Sequence, residues 1–412
     1  MRLQVLLAAC LIGSLTDPMR VLFITGEYPP LQGGIADYTA ALRAELRALD
    51  VTSEVLTDSA CASTEPTVHP VVSTWSFPFW SIAQQIISER QIDVVHIQYQ
   101  TAAFDLNPAI NLLPWYLRRR TLRPAIVTTF HDLHEPYLFP KAGPARRWVT
   151  RMLGRHSDSL VFTTQADREA WGAAGGAGKR LAEKTPTHQI DIGANIAEVP
   201  ITAERRQALR AECGVAPEAF LVGFFGFVNH TKGLDTLFKA VRLLRDRQIP
   251  VQVLIVGGSL GDSDPTNAVY KEHLERIIRR LDLDMGDILL STGYLEAADA
   301  SRALATCDAL ALPFTDGVSL RRGSLLAALD HGLPVVSTNP KPPSPEIQES
   351  GAMLLVPADD PPALSDALYR LYENPALGET LGAAARQFAQ RFSWHRIAEH
   401  NLAVYTEACR LR

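Results

Sequence analysis

Three cations stand where they could grip a phosphate. The stretch DGVSLRRGS carries Arg321 and Arg322 between Gly317 and Gly323, just ahead of the apolar run SLLAAL. GFFGFVNHTKGLDTL sets Lys232 between an apolar run and Gly233, where a helical pattern begins. A helix start presents unpaired N–H groups and the positive end of the helix dipole. Ser324 is placed to cap the helix that follows Gly323. Two guanidinium groups, an ammonium acting as a point charge and a helix N-terminus together suit a diphosphate. At least one of the two arginines is expected to meet phosphate, with Asp316 or another domain as the alternative partner of the other. The GxxxxGK[ST] phosphate loop is absent, so this is not an ATPase signature.

A second group gathers nearer the N-terminus. TGEYPPLQGGIADYT ends an apolar run, and its Gly33 and Gly34 allow close backbone approach and an anion-holding helix start, although a glycine pair is a weak signal. AIVTTFHDLHE puts His131 directly after a strand pattern, followed by Asp132, His134 and Glu135. His131 reads as a polar wall of a binding site, donating a hydrogen bond to a substrate. A metal reading lacks a second set of ligands to complete it, so no metal is expected. His96 falls inside DVVHIQYQ and reads as a packed strand residue.

Strand ends position these groups. Apolar strand patterns at 21–26, 93–99, 125–131 and 159–164 alternate with helical periodicity such as 36–49. A polar stretch near Pro200 follows, and the alternation restarts at 220–227, 251–258, 287–293 and 309–314, with helices at 233–247, 267–281 and 297–306. Buried strands separated by helices imply parallel sheets covered on both faces. The expected fold class is therefore α/β, as two doubly wound, Rossmann-like domains facing a central cleft, with the change near 198–205. Ligands of such sheets sit at the carboxyl ends of the strands.

Composition narrows the class. A chain of 412 residues exceeds one ordinary core, and 47% hydrophobic with 21% charged residues fits a globular protein. A net charge of −5 gives no support to nucleic-acid binding. Cys10, Cys61, Cys213, Cys307 and Cys409 form no CxxC pair and read as reduced thiols of a cytoplasmic protein. Residues 1–18 resemble an export signal, but a complete strand pattern starts at Met19, so they read as an extension ahead of the folded chain. One window departs from the overall charge. Arg118, Arg119, Arg120, Arg123, Lys141, Arg146, Arg147, Arg151 and Arg155 face only Asp132 and Glu135 within 115–156, and Trp115, Tyr116 and Trp148 are interleaved with them. That combination suits peripheral contact with anionic lipid headgroups, on the inner membrane face for a cytoplasmic protein.

These motifs together resemble glycosyltransferases of the two-domain GT-B architecture, family 4, over almost all of 19–412. The carriers are the Gly33–Gly34 loop, FHDLH at 130–134, FFGFVNHTKGLDTL at 224–237, VLIVGG at 253–258, RRGSLLAALDHGLPVV at 321–336 and FSWHRIAEHNLAVY at 392–405. The resemblance implies an acceptor-side domain over 19–198 joined by a last helix at about 393–412, and a nucleotide-sugar-binding domain over 199–392. It implies a transferase, retaining anomeric configuration, with a nucleotide-sugar as donor substrate and a glycan or lipid-linked intermediate of envelope polysaccharide as acceptor. No cofactor is implied. Lys232, Arg321, Arg322, Gly323 and Ser324 would hold the donor diphosphate. Asn229, Gly257, Tyr294, Leu295 and Ser319 would meet its sugar and nucleoside, Gly33 and Gly34 the acceptor, and His131 and Lys232 would be the catalytic pair. The sequence departs from the family where two glutamates are usual: Ser319 and Ala327 stand there. Phe227 replaces the usual arginine after the strand glycine. The pattern resembles a subgroup that lacks the two-glutamate motif. A nucleotide-sugar epimerase of the same architecture and a nucleotide-sugar-binding protein without turnover remain open.

Overall fold

The structure, a computed structural model, describes residues 18–31, 33–121, 123–133, 143–173, 185–257 and 265–412, with the side chains of 143–147 and 265–268 left aside. Of the residues singled out above, those in 1–17, together with His134, Glu135, Lys141 and the side chains of Arg146 and Arg147, lie outside the described set.

The chain forms two compact units. The first runs to Asp191 and regains Trp394–Arg412; the second is Ile192–Ser393. The division falls ahead of the polar stretch near 198–205 because the segment after Asp191 is held by the second unit. Ile196 joins that unit's apolar core, and the Val199 and Glu198 amides donate to Ser301 Oγ and Asp330 Oδ2.

In the first unit β1 (Arg20–Ile24), β2 (Thr52–Asp58), β3 (Val68–Val72), β4 (Val94–Tyr99), β5 (Ala125–Phe130), β6 (Ser159–Phe162) and β7 (Thr187–Gln189) form one sheet in the order β3-β2-β1-β4-β5-β6-β7. Every pairing is parallel. β4, β5 and β6 are buried along their whole length, as strands covered on both faces must be. β2, β3 and β7 are less regular in pattern and did not stand out in the sequence. The Trp394–Leu411 helix returns to pack on the Gly34–Ala48 helix and on β5.

In the second unit β8 (Phe220–Phe225), β9 (Val251–Val256), β10 (Leu289–Gly293), β11 (Ala309–Leu312), β12 (Val335–Thr338) and β13 (Met353–Val356) run in the order β10-β9-β8-β11-β12-β13, again all parallel. Both sheets start in the middle, build outward to one edge, then cross to build toward the other. The reversal falls between β1 and β4 and between β8 and β11. Adjacent strand-end loops leave in opposite directions there, which opens a crevice at the carboxyl ends. Among the described residues no helix is long and apolar enough to cross a membrane. Cys61, Cys213, Cys307 and Cys409 are unpaired thiols.

The basic window divides by function. Arg118 and Arg123 both bind Asp158 Oδ1, at 2.7 and 2.6 Å, while Asp158 Oδ2 accepts from the Ile126 amide at 2.9 Å. The Asp158 side chain is 2% exposed, so these two arginines neutralise a carboxylate at the start of β5 instead of facing solvent as free charge. Arg119 and Arg120 stay exposed, stacked over the Trp115 and Tyr116 rings. Asp158→Ala leaves two part-buried guanidinium groups and a strand amide without their acceptor. It is expected to cost about 3 kcal/mol or more of stability, read as a lowered urea midpoint, whereas Arg119→Gln should leave the midpoint within about 0.5 kcal/mol of wild type.

Candidate functional site

The second unit gathers its cations at the reversal between β8 and β11. The chain leaves β8 through Gly226 and makes a single 3-10 turn, His230–Lys232, before the Leu234–Asp246 helix. Gly233 joins the two at φ +68°, and a Cβ there would lie 1.9 Å from the Pro313 carbonyl oxygen, so the position requires glycine. Asn229 Oδ1 accepts from the Thr231 amide and hydroxyl, so this face of Asn229 shapes the turn. The turn thereby fixes Lys232 with Nζ 5.1 Å from the centre of the Phe314 ring. Arg322 lies over the same ring, its Cζ at 4.6 Å, and bonds both carboxylate oxygens of Asp316. Phe314 is fully buried. It is a platform on which two cations are stacked at energetically favourable cation–π distances.

Burial, with the Arg322 charge second, pushes the Lys232 ammonium down to about 8, against a smaller opposing pull from Asp316. Loss of water and, second, the neighbouring guanidinium thus disfavour the charged lysine, a condition that a bound anion relieves.

Ser324 does not cap its helix. Arg322 occupies the N-cap position of the Gly323–Asp330 helix, and no side chain caps it. Ser324 lies within the first turn, buried, and its Oγ finds no protein partner among the described residues. A Cβ built on Gly226 would sit 3.7 Å from Lys232 Nζ and 3.9 Å from Ser324 Cβ. The ammonium, the unsatisfied hydroxyl and an uncapped helix start therefore border the same glycine. Gly323 itself abuts Asn195, whose Oδ1 would be 3.2 Å from a Cβ there. Arg321 is half-buried on the same loop.

Around this centre, Gly257 ends β9 at φ +121°, where a Cβ would meet the Gly226 carbonyl at 2.9 Å. It bridges to Gly293 at the end of β10. Tyr294 and Phe227 are exposed, and Leu295 is partly buried against the core. Leu295 also lines a cavity of about 510 Å³ with Leu254, Leu290, Thr292 and residues of the Ala203–Glu212 and Ala297–Leu304 helices. Ser319 is half-buried, and its carbonyl accepts from the Arg322 amide, closing the loop. Ala327 is fully buried in the apolar core. The loop carries its carboxylate at Asp316, on the turn fixed by Gly317.

In the first unit, Gly33 is the residue before the Gly34–Ala48 helix and Gly34 is its first residue. A Cβ on Gly33 would run into the Glu27 carboxylate, while one on Gly34 would meet nothing within 4 Å. Only Gly33 is constrained by its surroundings. Glu27, which did not stand out in the sequence, has its carboxyl pushed up by burial and then by Asp37. His131 follows β5 and gives its Nε2 to Gln98 Oε1 at 2.7 Å. Its ring packs edge-on against Tyr38 at 4.8 Å. A carboxamide oxygen only accepts, so Nε2 carries the proton and is already used. With Nε2 used, a neutral His131 ring has no further N–H for the donation that the sequence suggested, and Nδ1 is its acceptor atom. Burial pushes this imidazole down to about 4, and that of His96 to about 3. Among the described residues no cluster of three His, Cys, Asp or Glu side chains could hold a metal ion.

Both units have counterparts among known proteins. Residues 33–182 match the glycosyl transferase 4-like domain, and residues 219–374 match the glycosyl transferases group 1 domain. The D-inositol 3-phosphate glycosyltransferase of Streptomyces bingchenggensis is 23% identical over 95% of this chain and 90% of its own length. The GDP-mannose-dependent monoacylated alpha-(1-6)-phosphatidylinositol monomannoside mannosyltransferase of Corynebacterium glutamicum is 24% identical over 92% of this chain and 96% of its own. The fold is shared with the Anabaena protein HepE solved in complex with UDP-glucose, at a TM-score of 0.69 and 20% identity over 94% of this chain and 99% of that one. A glycosyltransferase of Rickettsia africae superposes at 0.71 with 16% identity over 95% and 99%.

The two neutral histidines make the first unit acid-sensitive. Unfolded, each ring takes up a proton near 6.5; folded, only near 4 or 3. Between those values the unfolded chain holds more protons, so stability is full above 6.5 and declines as pH falls toward 4. The slope is expected to reach about 1.4 kcal/mol per pH unit for the fully buried His96. His156, pushed down to about 4 by burial and then by Arg118, Arg155 and Arg119, adds the same sign. Urea midpoints should hold between pH 7.5 and about 6.5 and fall from there to pH 5; a flat profile below 6.5 would contradict neutral burial.

Proposed function

The chain belongs to the group 1 glycosyltransferases, with the GT-B fold, and on that footing we propose that it moves a sugar, with retention of configuration, from a nucleoside-diphosphate sugar bound on its second unit. The observation that carries this reading is the stacking of Lys232 and Arg322 on Phe314 beside the partnerless Ser324 hydroxyl. The donor's diphosphate would take its charge complement from Lys232, Arg322 and Arg321, and hydrogen bonds from Ser324 and the free amides near Gly323. The nucleoside would extend past Gly257 toward Tyr294 and Leu295, and the sugar toward Asn229 and Ser319.

In the transfer the anomeric carbon–oxygen bond breaks, and its electron pair leaves with the diphosphate. The acceptor hydroxyl oxygen forms the new bond, and its proton ends on the diphosphate. Fixed cations stabilise the negative charge that grows on the leaving group, and that stabilisation requires no reorganisation at the moment of reaction. No resident metal or cofactor enters this scheme. His131 on the first unit, neutral and with Nδ1 as its acceptor atom, would orient an acceptor hydroxyl. A non-catalytic nucleotide-sugar binder is the second reading, favoured by Ser319 and Ala327 standing where the family has glutamates. Turnover of a donor with release of nucleoside diphosphate separates the two.

Replacing Arg321 and Arg322 together by alanine is expected to weaken nucleoside diphosphate binding about tenfold or more, with little change in melting temperature, because the Arg322–Asp316 pair is on an exposed loop. Wild-type affinity should also decline as pH rises from 7.5 to 9.5 and Lys232 loses its proton. Calorimetric titration showing unchanged affinity in the double variant would refute the phosphate role.

The acceptor is proposed to be a phosphate-bearing or lipid-linked glycan intermediate, reached at an anionic membrane surface on the cytoplasmic side. Phe77, Trp80 and Tyr116 form a ladder of rings, 4.9 and 4.8 Å apart, with Arg120 over the last at 4.2 Å. Phe77 and Trp148 are more than half exposed. His156 is pushed down to about 4 chiefly by burial, with smaller contributions from Arg118, Arg155 and Arg119. Co-sedimentation with anionic vesicles should be strong at low salt and fall at high salt, since the attraction is screened. Arg119→Gln with Arg120→Gln should weaken it. Equal binding to neutral and anionic vesicles, or none to either, would remove the membrane from the proposal.

A further inference from the structure

The first unit holds a polar chain that runs from the returning C-terminal helix to His131. Tyr405 OH lies 2.7 Å from His96 Nδ1, and Thr129 Oγ1 lies 2.7 Å from His96 Nε2. Gln98 Nε2 reaches the same imidazole at 3.3 and 3.4 Å, and Gln98 Oε1 accepts from His131 Nε2 at 2.7 Å. Tyr405, His96, Thr129 and Gln98 are essentially inaccessible to solvent. His96 and Gln98 alternate on β4 and so share one face of the sheet; the helix Trp394–Leu411 packs on the neighbouring β5.

Apolar side chains would fill this space at lower cost, since each buried polar group must be matched by a partner. Here each is matched, and the chain ends at His131, just after the end of β5. We propose that Gln98, backed by His96 and Tyr405, is a positioning residue that fixes the tautomer of His131, so that Nδ1 presents a lone pair to a substrate hydroxyl. The reason is directional. The amide nitrogen of Gln98 is turned to His96, which leaves only its oxygen for His131, and an oxygen acceptor selects the Nε2–H form. Among the described residues no hydrogen bond is formed by Nδ1. The groups facing His131 are His96, Gln98 and Tyr38; Tyr38 in turn meets Trp394 at 5.3 Å and feels Asp191. Asp132 is its chain neighbour. This inference rests on the transferase reading for its effect on rate, but the tautomer itself does not.

The test is nitrogen-15 NMR of the histidine side chains, with the His131 signals assigned by their loss in His131→Asn. Wild-type protein should show a single Nε2–H form near neutral pH. Gln98→Leu should give a mixture of the two tautomers and, with a donor that turns over, about a tenfold lower kcat at an unchanged donor KM. Gln98→Glu should instead stabilise the imidazolium, so the His131 titration and the acid limb of kcat both move up toward neutral pH. Should the leucine variant not fold, Gln98→Met offers a closer match in length. An unchanged Nε2–H form in the leucine or methionine variant, or a His131 titration that stays put in the glutamate variant, overturns the proposal. Because the NMR readout needs no sugar, it decides the matter even if no transfer is found, and that separate failure would count against the transferase reading alone.

Discussion

Partial burial of a lysine beside an arginine is the constraint on which the strand-reversal loops of the second unit depend. Two like charges near one aromatic ring repel each other and lose water, and each part of the surrounding loop offsets that cost. Phe314 offers both a ring face, Asp316 neutralises Arg322, and Gly233 holds Lys232 in place by letting the chain pass against the Pro313 carbonyl. An arrangement that is unfavourable when empty gains most from an anion, which is why a charged, part-buried cluster with an unsatisfied hydroxyl reads as a binding site and not as a structural ion pair.

The two units handle polarity in opposite ways. The second stores positive charge at its strand reversal. The first places an uncharged network there: His96 and His131 are held neutral, and their protons are directed by Tyr405, Thr129 and Gln98. For a reaction in which a diphosphate departs, charge belongs with the leaving group. A neutral imidazole can orient a hydroxyl without competing for that charge.

The departures from the family pattern take a consistent physical form. Ala327 is enclosed in the apolar core, where a carboxylate would lose its water with no partner described nearby. Ser319 uses its carbonyl to hold the Arg322 amide. The loop pairs Arg322 with Asp316, and Phe227, where the family resemblance leads one to expect arginine, is exposed.

Residue order alone determined the two parallel α/β units, because strands covered on both faces must be largely apolar, as FLVGFF and ALAL are throughout. It also marked Lys232, Arg321, Arg322 and His131, since strand ends followed by glycine, charge or histidine are visible in one dimension. It could not assign partners. That Arg118 and Arg123 share Asp158 depends on a contact across three elements, and that Ser324 lies inside the helix turn, not at its cap, depends on where the loop closes. Glu27 and Gln98 were unremarkable as letters; one became visible through its carboxylate against Gly33, the other through its oxygen on His131. The direction of that last hydrogen bond leaves Nδ1 of His131 as an acceptor atom where the sequence suggested a donor. Periodicity reports which face of an element is buried, but a hydrogen bond's direction is set by which atoms the packed fold brings within reach, and only the tertiary structure decides that.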